Sequence, residues 1–308
     1  MPLTPTKKIW MDGEFVNWDD AKIHILNPTL HYGWGVFEGV RAYETDRGPA
    51  VFRLGDHIAR LYQSAHIYMM RPEFTPEQMV EATRELVRVN ESPACYIRPL
   101  FYLGYGEMGL NPLPSKTAAS IACWPWGAYL GEDAANKGVR AAVSSWQRIG
   151  NNVIPPAGKA TGQYINSSLA KIQALKAGYD EAILLTPDGR IAEGTGENIF
   201  VVFGKKIVTP PLVDGSLAGI TRATVMTMAR DEGYEVVEAT LSRSDLYLAD
   251  EAWFTGTAAE MVPLVEVDDR AVGTGRPGPI TTQLLERYGQ AVRGQLPQYK
   301  DWLDYIND

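Results

Sequence analysis

The sequence has few cysteines, no long apolar run and no cluster of basic residues. Two cysteines in 308 residues exclude a disulfide framework and favour a reducing compartment. A net charge of −8 without a basic cluster argues against a nucleic-acid partner. No apolar run is long enough to span a membrane, and the N-terminus lacks the apolar segment of a signal peptide. These absences predict a cytoplasmic protein with no membrane or nucleic-acid partner.

Histidines are also scarce, and their spacing is not that of metal ligands. The four are His24, His31, His57 and His66. His57 and His66 fall in a helical pattern, which predicts ordinary helix-surface or half-buried positions. We therefore expect no metal site.

The length of 308 residues favours two domains. The stretch "LGEDAANKG" is typical of a linker, so we predict a first domain at 1–128, a linker at 129–137 and a second domain at 138–308. Strand and helix patterns mix along the chain without a strict strand–helix–strand rhythm. This mixture predicts the α+β class.

Helical signals are clearest in three segments. Thr75 and Gln78 form a capping box, and Asn90 is suited to end the helix that it starts. A second helix before Gly178 is predicted by apolar residues at helical spacing, namely Ile165, Leu169, Ile172 and Leu175. A third is predicted over Thr221–Asp231.

Three short motifs suggest activities that the surrounding residues do not support. Gly104–Gly109 and Gly273–Gly278 match G-x-G-x-x-G, but prolines follow the first and lie within the second, so neither predicts a dinucleotide site. Ser168–Lys171 matches S-x-x-K of the penicillin-recognising enzymes, whose companion motifs are absent. We expect loops at the first two and a chance match at the third.

Seven other stretches join glycines to polar or aromatic residues at the ends of predicted elements, where binding residues tend to lie. They are "HYGWGVFEGVRAY" (31–43), "YIRPL" (96–100), "PWGAYLG" (125–131), "KATGQY" (159–164), "AEGTGENIF" (192–200), "LAGITR" (217–222) and "FTGTAAE" (254–260). For any one stretch, a simple turn would explain the glycines.

Taken together, in this order and spacing, the seven stretches resemble those of the branched-chain amino acid aminotransferases, in the fold-type IV group of pyridoxal-phosphate enzymes. The resemblance runs from "WMDGEFVNWDD" to "WLDYIND". It implies an α+β fold with a small N-terminal α/β domain, a larger C-terminal domain and pyridoxal 5′-phosphate between them. It also implies transamination between leucine, isoleucine or valine and 2-oxoglutarate, in a homodimer or a higher homo-oligomer such as a hexamer.

The resemblance assigns the central chemistry to Lys159. A lysine there would bind the cofactor covalently and, once released, carry a proton to and from the substrate Cα. The small neighbours Gly158 and Ala160 would leave the cofactor room to move. Glu193 matches the partner of the pyridine nitrogen, and Tyr164 the partner of the ring hydroxyl.

The same resemblance supplies the remaining site residues. The further cofactor-binding positions are Arg60, Leu217, Gly219, Ile220, Thr221 and Thr257. Ile220 and Thr221 also begin a predicted helix, whose N–H groups suit a phosphate. The substrate positions are Tyr32, Phe37, Tyr96, Arg98, Met108, Leu110, Trp126, Tyr129, Thr257 and Ala258. The loop around Met108 is expected to come from a second subunit.

Alternative activities remain open at this point. D-amino acid aminotransferase, (R)-amine transaminase and aminodeoxychorismate lyase share the fold. A cofactor-binding paralogue without turnover or a lysine-dependent aldolase without the cofactor would retain Lys159. Gln163 replaces a common asparagine, and Trp34 lies at a variable position, so substrate preference is the property that these departures affect.

Overall fold

The computed structural model describes residues 3–127, 130–131 and 133–307. The strands are β1 (Lys8–Met11), β2 (Glu14–Asn17), β3 (Gly35–Phe37), β4 (Val40–Thr45), β5 (Gly48–Phe52), β6 (Cys95–Leu103), β7 (Thr117–Trp124), β8 (Val139–Val143), β9 (Glu181–Leu185), β10 (Ile191–Gly194), β11 (Asn198–Phe203), β12 (Lys206–Thr209), β13 (Glu235–Glu238), β14 (Glu251–Gly256), β15 (Glu260–Val267), β16 (Arg270–Ala271) and β17 (Leu303–Tyr305). The helices are α1 (Pro28–Tyr32), α2 (Leu54–Ile67), α3 (Pro76–Val89), α4 (Ala134–Lys137), α5 (Tyr164–Lys176), α6 (Ile220–Asp231), α7 (Arg243–Leu248) and α8 (Pro279–Val292).

Contacts divide the chain into two units. Unit 1 contains the chain up to Trp126, the segment Gly158–Gly162 and the chain from Gln290 onward. Unit 2 contains Gly127–Ala157 and Gln163–Gly289. The linker predicted at 129–137 includes α4 and two positions, 129 and 132, that lie outside the described residues, so this boundary stays a prediction.

Two segments that the sequence pattern assigns to the second domain belong to unit 1. The C-terminal strand β17 pairs with β5, from Leu303 opposite Phe52 to Tyr305 opposite Ala50. Ala160 forms a bridge with β3. Both attachments are strand pairings over a long sequence separation, which local composition does not reveal.

The sheet of unit 1 has the order β17-β5-β4-β6-β7-β1-β2, with β3 paired to β6. Its centre is the antiparallel pair β6–β7, which runs from Tyr96 opposite Trp124 to Leu103 opposite Thr117. Alternate residues of β7 are buried, as expected when one face of a strand packs on a core. The helix that packs there, α3, has the predicted Thr75–Gln78 capping box.

The sheet of unit 2 has the order β10-β9-β8-β15-β14-β11-β12-β13, with β16 paired to β15. Parallel pairs, such as β8 with β9, occur beside antiparallel pairs, such as β11 with β14. The central strands are buried along nearly their whole length, which explains the continuous apolar sequence "NIFVVF". The mixed pairing agrees with the predicted α+β class.

Helix α5 is oriented differently from what its apolar spacing suggests. Its buried residues are small, namely Ser167, Ala170 and Ala174. Its large apolar residues are exposed, namely Ile165, Leu169, Ile172 and Leu175. Small side chains let the helix approach β9 closely, where Ala170 and Ala174 pack with Ala182 and Leu184. An apolar stripe on this helix therefore lies on the surface of unit 2.

Among the described residues, no helix has the length and apolar character needed to cross a membrane.

Candidate active site

Lys159 lies on a loop that is attached to two elements of unit 1. Its backbone N–H donates to Oγ of Ser64 (3.0 Å), and its carbonyl accepts from the N–H of Phe37 (3.0 Å). The next residue, Ala160, forms an antiparallel bridge with Val36. The loop is therefore held by α2 and β3, which sets the point from which the Lys159 side chain extends.

The glycines around this loop are required because neighbouring atoms approach the backbone closely. A Cβ at Gly158 would lie 2.6 Å from Cε2 of Tyr68. A Cβ at Gly33 would lie 2.8 Å from Cα of Gly162, and the Gly162 N–H donates to the Gly33 carbonyl (3.2 Å). The stretches "HYGWG" and "KATGQ" thus pack directly against each other. Room for cofactor movement beside Gly158 stays a prediction.

Four predicted substrate residues form a cluster with Lys159. The Nζ of Lys159 lies 5.2 Å from the ring centroid of Phe37, and Cζ of Arg98 lies 4.5 Å from the same centroid. Arg98 Nη2 donates to the hydroxyl of Tyr96 (3.1 Å). The rings of Tyr96 and Trp126 meet edge to face, with centroids 4.5 Å apart. An amine, a guanidinium and three aromatic rings are therefore contiguous in unit 1.

Arg60, also in unit 1, is buried and is held by a carboxylate. Its Nε and Nη2 donate to Oε1 and Oε2 of Glu38 at 2.7 and 2.8 Å, and Nδ1 of His57 lies 2.7 Å from Oε2. Burial opposes ionisation of Glu38, but Arg60 and His57 outweigh it and hold the pKa of this carboxyl well below its usual range. Burial lowers the pKa of His57 despite the opposing effect of Glu38.

The prediction of a surface or half-buried His57 is therefore wrong. The side chain is buried, because the carboxylate of Glu38 provides a hydrogen-bond partner inside the unit. His66, on the same helix, is exposed.

Other predicted substrate residues occupy exposed positions. Tyr32 ends α1, while Met108 and Leu110 lie on the loop between β6 and β7. Leu110 is 86% exposed. Tyr129 lies outside the described residues. The roles of these four residues stay predictions.

In unit 2, the carboxylate of Glu193 is held by three donors. Oε1 pairs with Nη2 of Arg148 (2.8 Å), while Oε2 accepts from the backbone N–H of Leu217 (3.0 Å) and from Nδ2 of Asn198 (3.3 Å). Glu193 is 7% exposed and Arg148 is 5% exposed. A carboxylate held from three directions is a fixed negative charge at the end of β10.

The start of α6 lies next to this carboxylate. Gly219 is the N-cap residue of α6, and a Cβ there would overlap Oδ1 of Asn198. The Nδ2 group of Asn198 donates to the Leu217 carbonyl (2.9 Å). Ile220 and Thr221 begin the helix and are buried. Their N–H groups are among those that an α-helix leaves without intrahelical partners, so this end suits an anion.

Two predicted cofactor positions, Thr257 and Tyr164, and the predicted substrate position Ala258 are located by β14 and α5. Asn198 on β11 lies opposite Thr255 on β14, which places Thr257 and Ala258 in the turn that directly follows that strand. Tyr164 is the first residue of α5.

Sequence reasoning missed four residues that hold the predicted ones. Glu38 holds Arg60 and is itself held by His57, while Arg148 and Asn198 hold Glu193. Glu38 and Asn198 lie inside two of the glycine-containing stretches, 31–43 and 192–200, which was an available signal. His57 and Arg148 have no local signal, because each meets its partner only after folding.

Among the described residues, no group of three or more histidine, cysteine, aspartate or glutamate side chains has an arrangement that could hold a metal ion.

Comparison with known proteins places the chain in a family. The model of the family described as amino-transferase class IV matches residues 35–267, which include Lys159, Arg60 and Glu193. The chain belongs to the class IV aminotransferase family, and the relatives that follow place it in the branched-chain amino acid aminotransferase group.

Relatives named branched-chain amino acid aminotransferases match this chain over nearly their whole length. A branched-chain-amino-acid aminotransferase of Pseudomonas aeruginosa is 47% identical over 294 residues, with 96% of this chain and 95% of the relative covered. The crystal structure of the Escherichia coli branched-chain amino acid aminotransferase superposes with a TM-score of 0.96 at 44% identity, covering 98% of this chain and 100% of that one. The Thermobaculum terrenum branched-chain amino acid aminotransferase in its PLP form gives a TM-score of 0.92 at 37% identity, covering 98% and 99%. The predicted fold type is confirmed.

Proposed function

We propose that this chain is a pyridoxal-phosphate-dependent aminotransferase for branched-chain amino acids. It exchanges an amino group between leucine, isoleucine or valine and 2-oxoglutarate, which yields branched-chain 2-oxo acids and L-glutamate. One observation carries the proposal: the amine of Lys159 and the guanidinium of Arg98 both contact the ring of Phe37. The amine that would react with the carbonyl group of the cofactor therefore lies close to the cation that would bind the substrate carboxylate. The relatives named branched-chain amino acid aminotransferases agree with this activity.

The donor set fits pyridoxal 5′-phosphate. Glu193 is a fixed acceptor for a protonated ring nitrogen, and the N–H groups at the start of α6, which lack intrahelical partners, suit a phosphate. A Cβ at Gly219 would overlap Asn198, so the backbone at the start of α6 approaches Asn198 more closely than a side chain would allow. When bound, the cofactor supplies an electron sink for the charge left when the Cα proton departs.

We assign the proton transfer and the contacts to the cofactor ring to three side chains of this protein. The Nζ of Lys159 accepts the proton from the substrate Cα and delivers it during the exchange. Glu193 keeps the ring nitrogen protonated, and the hydroxyl of Tyr164 donates to the ring oxygen. Because Lys159 is held through its backbone to Ser64 and Phe37, its side chain can move while its attachment stays fixed.

The phosphate is assigned to Arg60, Ile220, Thr221 and Thr257. Ile220 and Thr221 offer backbone N–H groups, and Arg60 and Thr257 add side-chain donors, while Leu217 and Gly219 shape the backbone. Glu38 already occupies the Nε–Nη2 edge of Arg60.

The substrate carboxylate is assigned to Arg98. Its Nε is buried and has no hydrogen-bond partner among the described residues. A buried unpaired donor is costly, and a bound carboxylate would satisfy it. Tyr96 and the backbone at Thr257 and Ala258 complete this contact. A branched side chain meets aromatic faces and apolar side chains, for which we propose Phe37, Trp126, Tyr129, Tyr32, Met108 and Leu110.

We further infer that the protein acts as a homo-oligomer in the cytoplasm. The four large apolar side chains on the surface of α5 form an exposed stripe, and Ile165 is 68% exposed. Contiguous exposed apolar residues of this kind suit a protein contact, and we assign it to a second copy. Both cysteines are buried free thiols, which suits a reducing compartment.

A half-reaction tests the activity. Purified protein with bound cofactor is mixed separately with L-leucine, D-alanine and (R)-1-phenylethylamine, and conversion to the pyridoxamine form is followed by absorption. The fastest conversion is expected with L-leucine. Faster conversion with D-alanine or with the amine would replace the substrate assignment by one of the sister activities.

Two lysine variants test the catalytic assignment in the same assay. Lys159→Ala should lose the absorption band of the lysine-bound cofactor and all turnover, while Lys176→Ala, at the exposed end of α5, should retain both. Normal turnover in Lys159→Ala would remove Lys159 from the mechanism.

A further inference from the structure

Three carboxyl groups are buried in one part of unit 2, on the paired strands β9 and β10 and in the turn that follows β10. Glu181 on β9 is fully buried, and Glu193 and Glu197 are 7% and 3% exposed. Burial of several like charges in one place is unfavourable unless cations or protons compensate for them. We call these three residues the glutamate cluster.

Only two cations pair with the glutamate cluster among the described residues. Lys171 Nζ lies 2.6 Å from Oε2 of Glu181, and Arg148 Nη2 lies 2.8 Å from Oε1 of Glu193. Glu181 Oε1 also accepts from the hydroxyl of Thr195 (2.6 Å). The cluster therefore has one carboxyl group more than it has cations.

Glu197 is the member that lacks a cation. Its Oε2 accepts from the backbone N–H of Gly196 (3.0 Å), and no ion pair joins it in the part of the chain that the structure describes. Its side chain fills space left by glycines: a Cβ at Gly194 would lie 3.0 Å from Oε2, and one at Gly256 would lie 3.4 Å from Cγ. The glycines of "EGTGENIF" thus accommodate a buried carboxyl group.

We propose that Glu197 carries a proton in the cofactor-free protein and releases it to solvent when a protonated ring nitrogen pairs with Glu193. The released proton leaves three carboxylates facing three cations, so the buried charge is balanced before and after binding. Glu197 then acts through Glu193 as a positioning residue, because its negative charge helps to keep the ring nitrogen protonated. This inference rests on the proposed function.

The groups around Glu197 favour a proton on its carboxyl group before the cofactor binds and its release afterwards. Burial and the neighbouring carboxylates of Glu181 and Glu193 raise the pKa of Glu197 to about 8, against the opposing effects of Lys171 and the Gly196 N–H. From β14, Gly256 lies against the Glu197 side chain, and the uncharged ring of Phe254 lies beside Gly194. A new cation at Glu193 offsets the repulsion and so lowers the pKa of Glu197.

The test counts protons during binding of pyridoxal 5′-phosphate to the cofactor-free protein. Calorimetry at pH 7 in two buffers of different ionisation enthalpy gives the number released per bound cofactor. Protons from the cofactor itself and from Lys159 contribute equally in every variant. Glu197→Gln should release close to one proton fewer than the wild type. The control Glu235→Gln makes the same substitution at an exposed residue and should match the wild type.

Equal proton counts in wild type and Glu197→Gln would overturn the inference while leaving the proposed function intact. Failure of the wild type to bind the cofactor would instead refute the proposed function. Should Glu197→Gln not fold, infrared difference spectra of the wild type replace it. They should show the carbonyl stretch of a protonated carboxyl group disappearing on binding, and its persistence would contradict the proposal.

Discussion

Arg60 and Glu38 form a buried, two-pronged ion pair, with Nε–Oε1 and Nη2–Oε2 distances of 2.7 and 2.8 Å. The glutamate lies just after β3 and the arginine lies on α2, so the pair joins two elements of unit 1. Paired bonds of this kind hold a guanidinium plane in one orientation. An arginine that is assigned to a phosphate is therefore oriented before any ligand binds.

Removing the charge of Glu38 should strongly destabilise the protein. Glu38→Gln leaves the buried Arg60 without a counter-charge, for which we expect a loss on the order of 3 to 5 kcal/mol in the free energy of unfolding. Urea denaturation of the cofactor-free protein measures it. Glu44→Gln, an exposed residue on β4, is the control. Equal effects of both substitutions would show that the pair contributes little.

His57 should make stability depend on pH. Burial lowers the pKa of His57 below its ordinary 6.5, so below pH 6.5 the unfolded chain takes up a proton that the folded chain does not. Stability therefore falls as pH decreases below that value, by up to roughly 1.4 kcal/mol per pH unit for this group. Denaturation of His57→Gln should lack this slope. His66→Gln, at an exposed position of α2, should keep it; a slope that survives in His57→Gln would assign it to other groups.

Arg60→Ala should weaken binding of pyridoxal 5′-phosphate by roughly 10- to 100-fold, the range for losing hydrogen bonds to a charged group. Binding of pyridoxal, which lacks the phosphate, should change much less. Fluorescence titration of the cofactor-free protein compares the two ligands. Equal losses for both would place Arg60 away from the phosphate, and the exposed Arg230→Ala variant should bind both normally.

Arg98→Ala should reduce kcat/KM for L-leucine by roughly 10- to 100-fold, because a charge-assisted contact with the carboxylate is lost. Any activity on (R)-1-phenylethylamine, which has no carboxylate, should fall less. Steady-state kinetics on the two substrates separates this effect from the loss of packing against Phe37. Equal reductions would remove Arg98 from carboxylate binding.

The exposed stripe of α5 should determine assembly. Ile172→Glu places a charge at its centre and should shift the protein toward smaller species in analytical ultracentrifugation. Leu248→Glu makes the same kind of change at another exposed position of unit 2 and should leave assembly unchanged. Unaltered sedimentation of Ile172→Glu would show that the stripe is not the contact between copies.

Local sequence was sufficient to predict those elements whose formation depends on interactions between neighbouring residues. The capping box at Thr75 and Gln78, the strand "NIFVVF" and the helix that begins beside Thr221 are all observed, because each depends on neighbouring residues alone. The ordered glycine-rich stretches likewise carried the family resemblance. That resemblance assigns roles to Lys159 and Glu193, and those roles stay predictions.

Tertiary structure decided what those residues contact. Glu38 holds Arg60, and Arg148 holds Glu193, across separations that no local pattern encodes. It also decided that α5 buries its small residues and exposes its large ones, because close approach to β9 favours alanine. Sequence thus determined the elements, the family and the residues to which we assign the chemistry. Folding alone determined their partners, since burial and pairing depend on which distant segments meet.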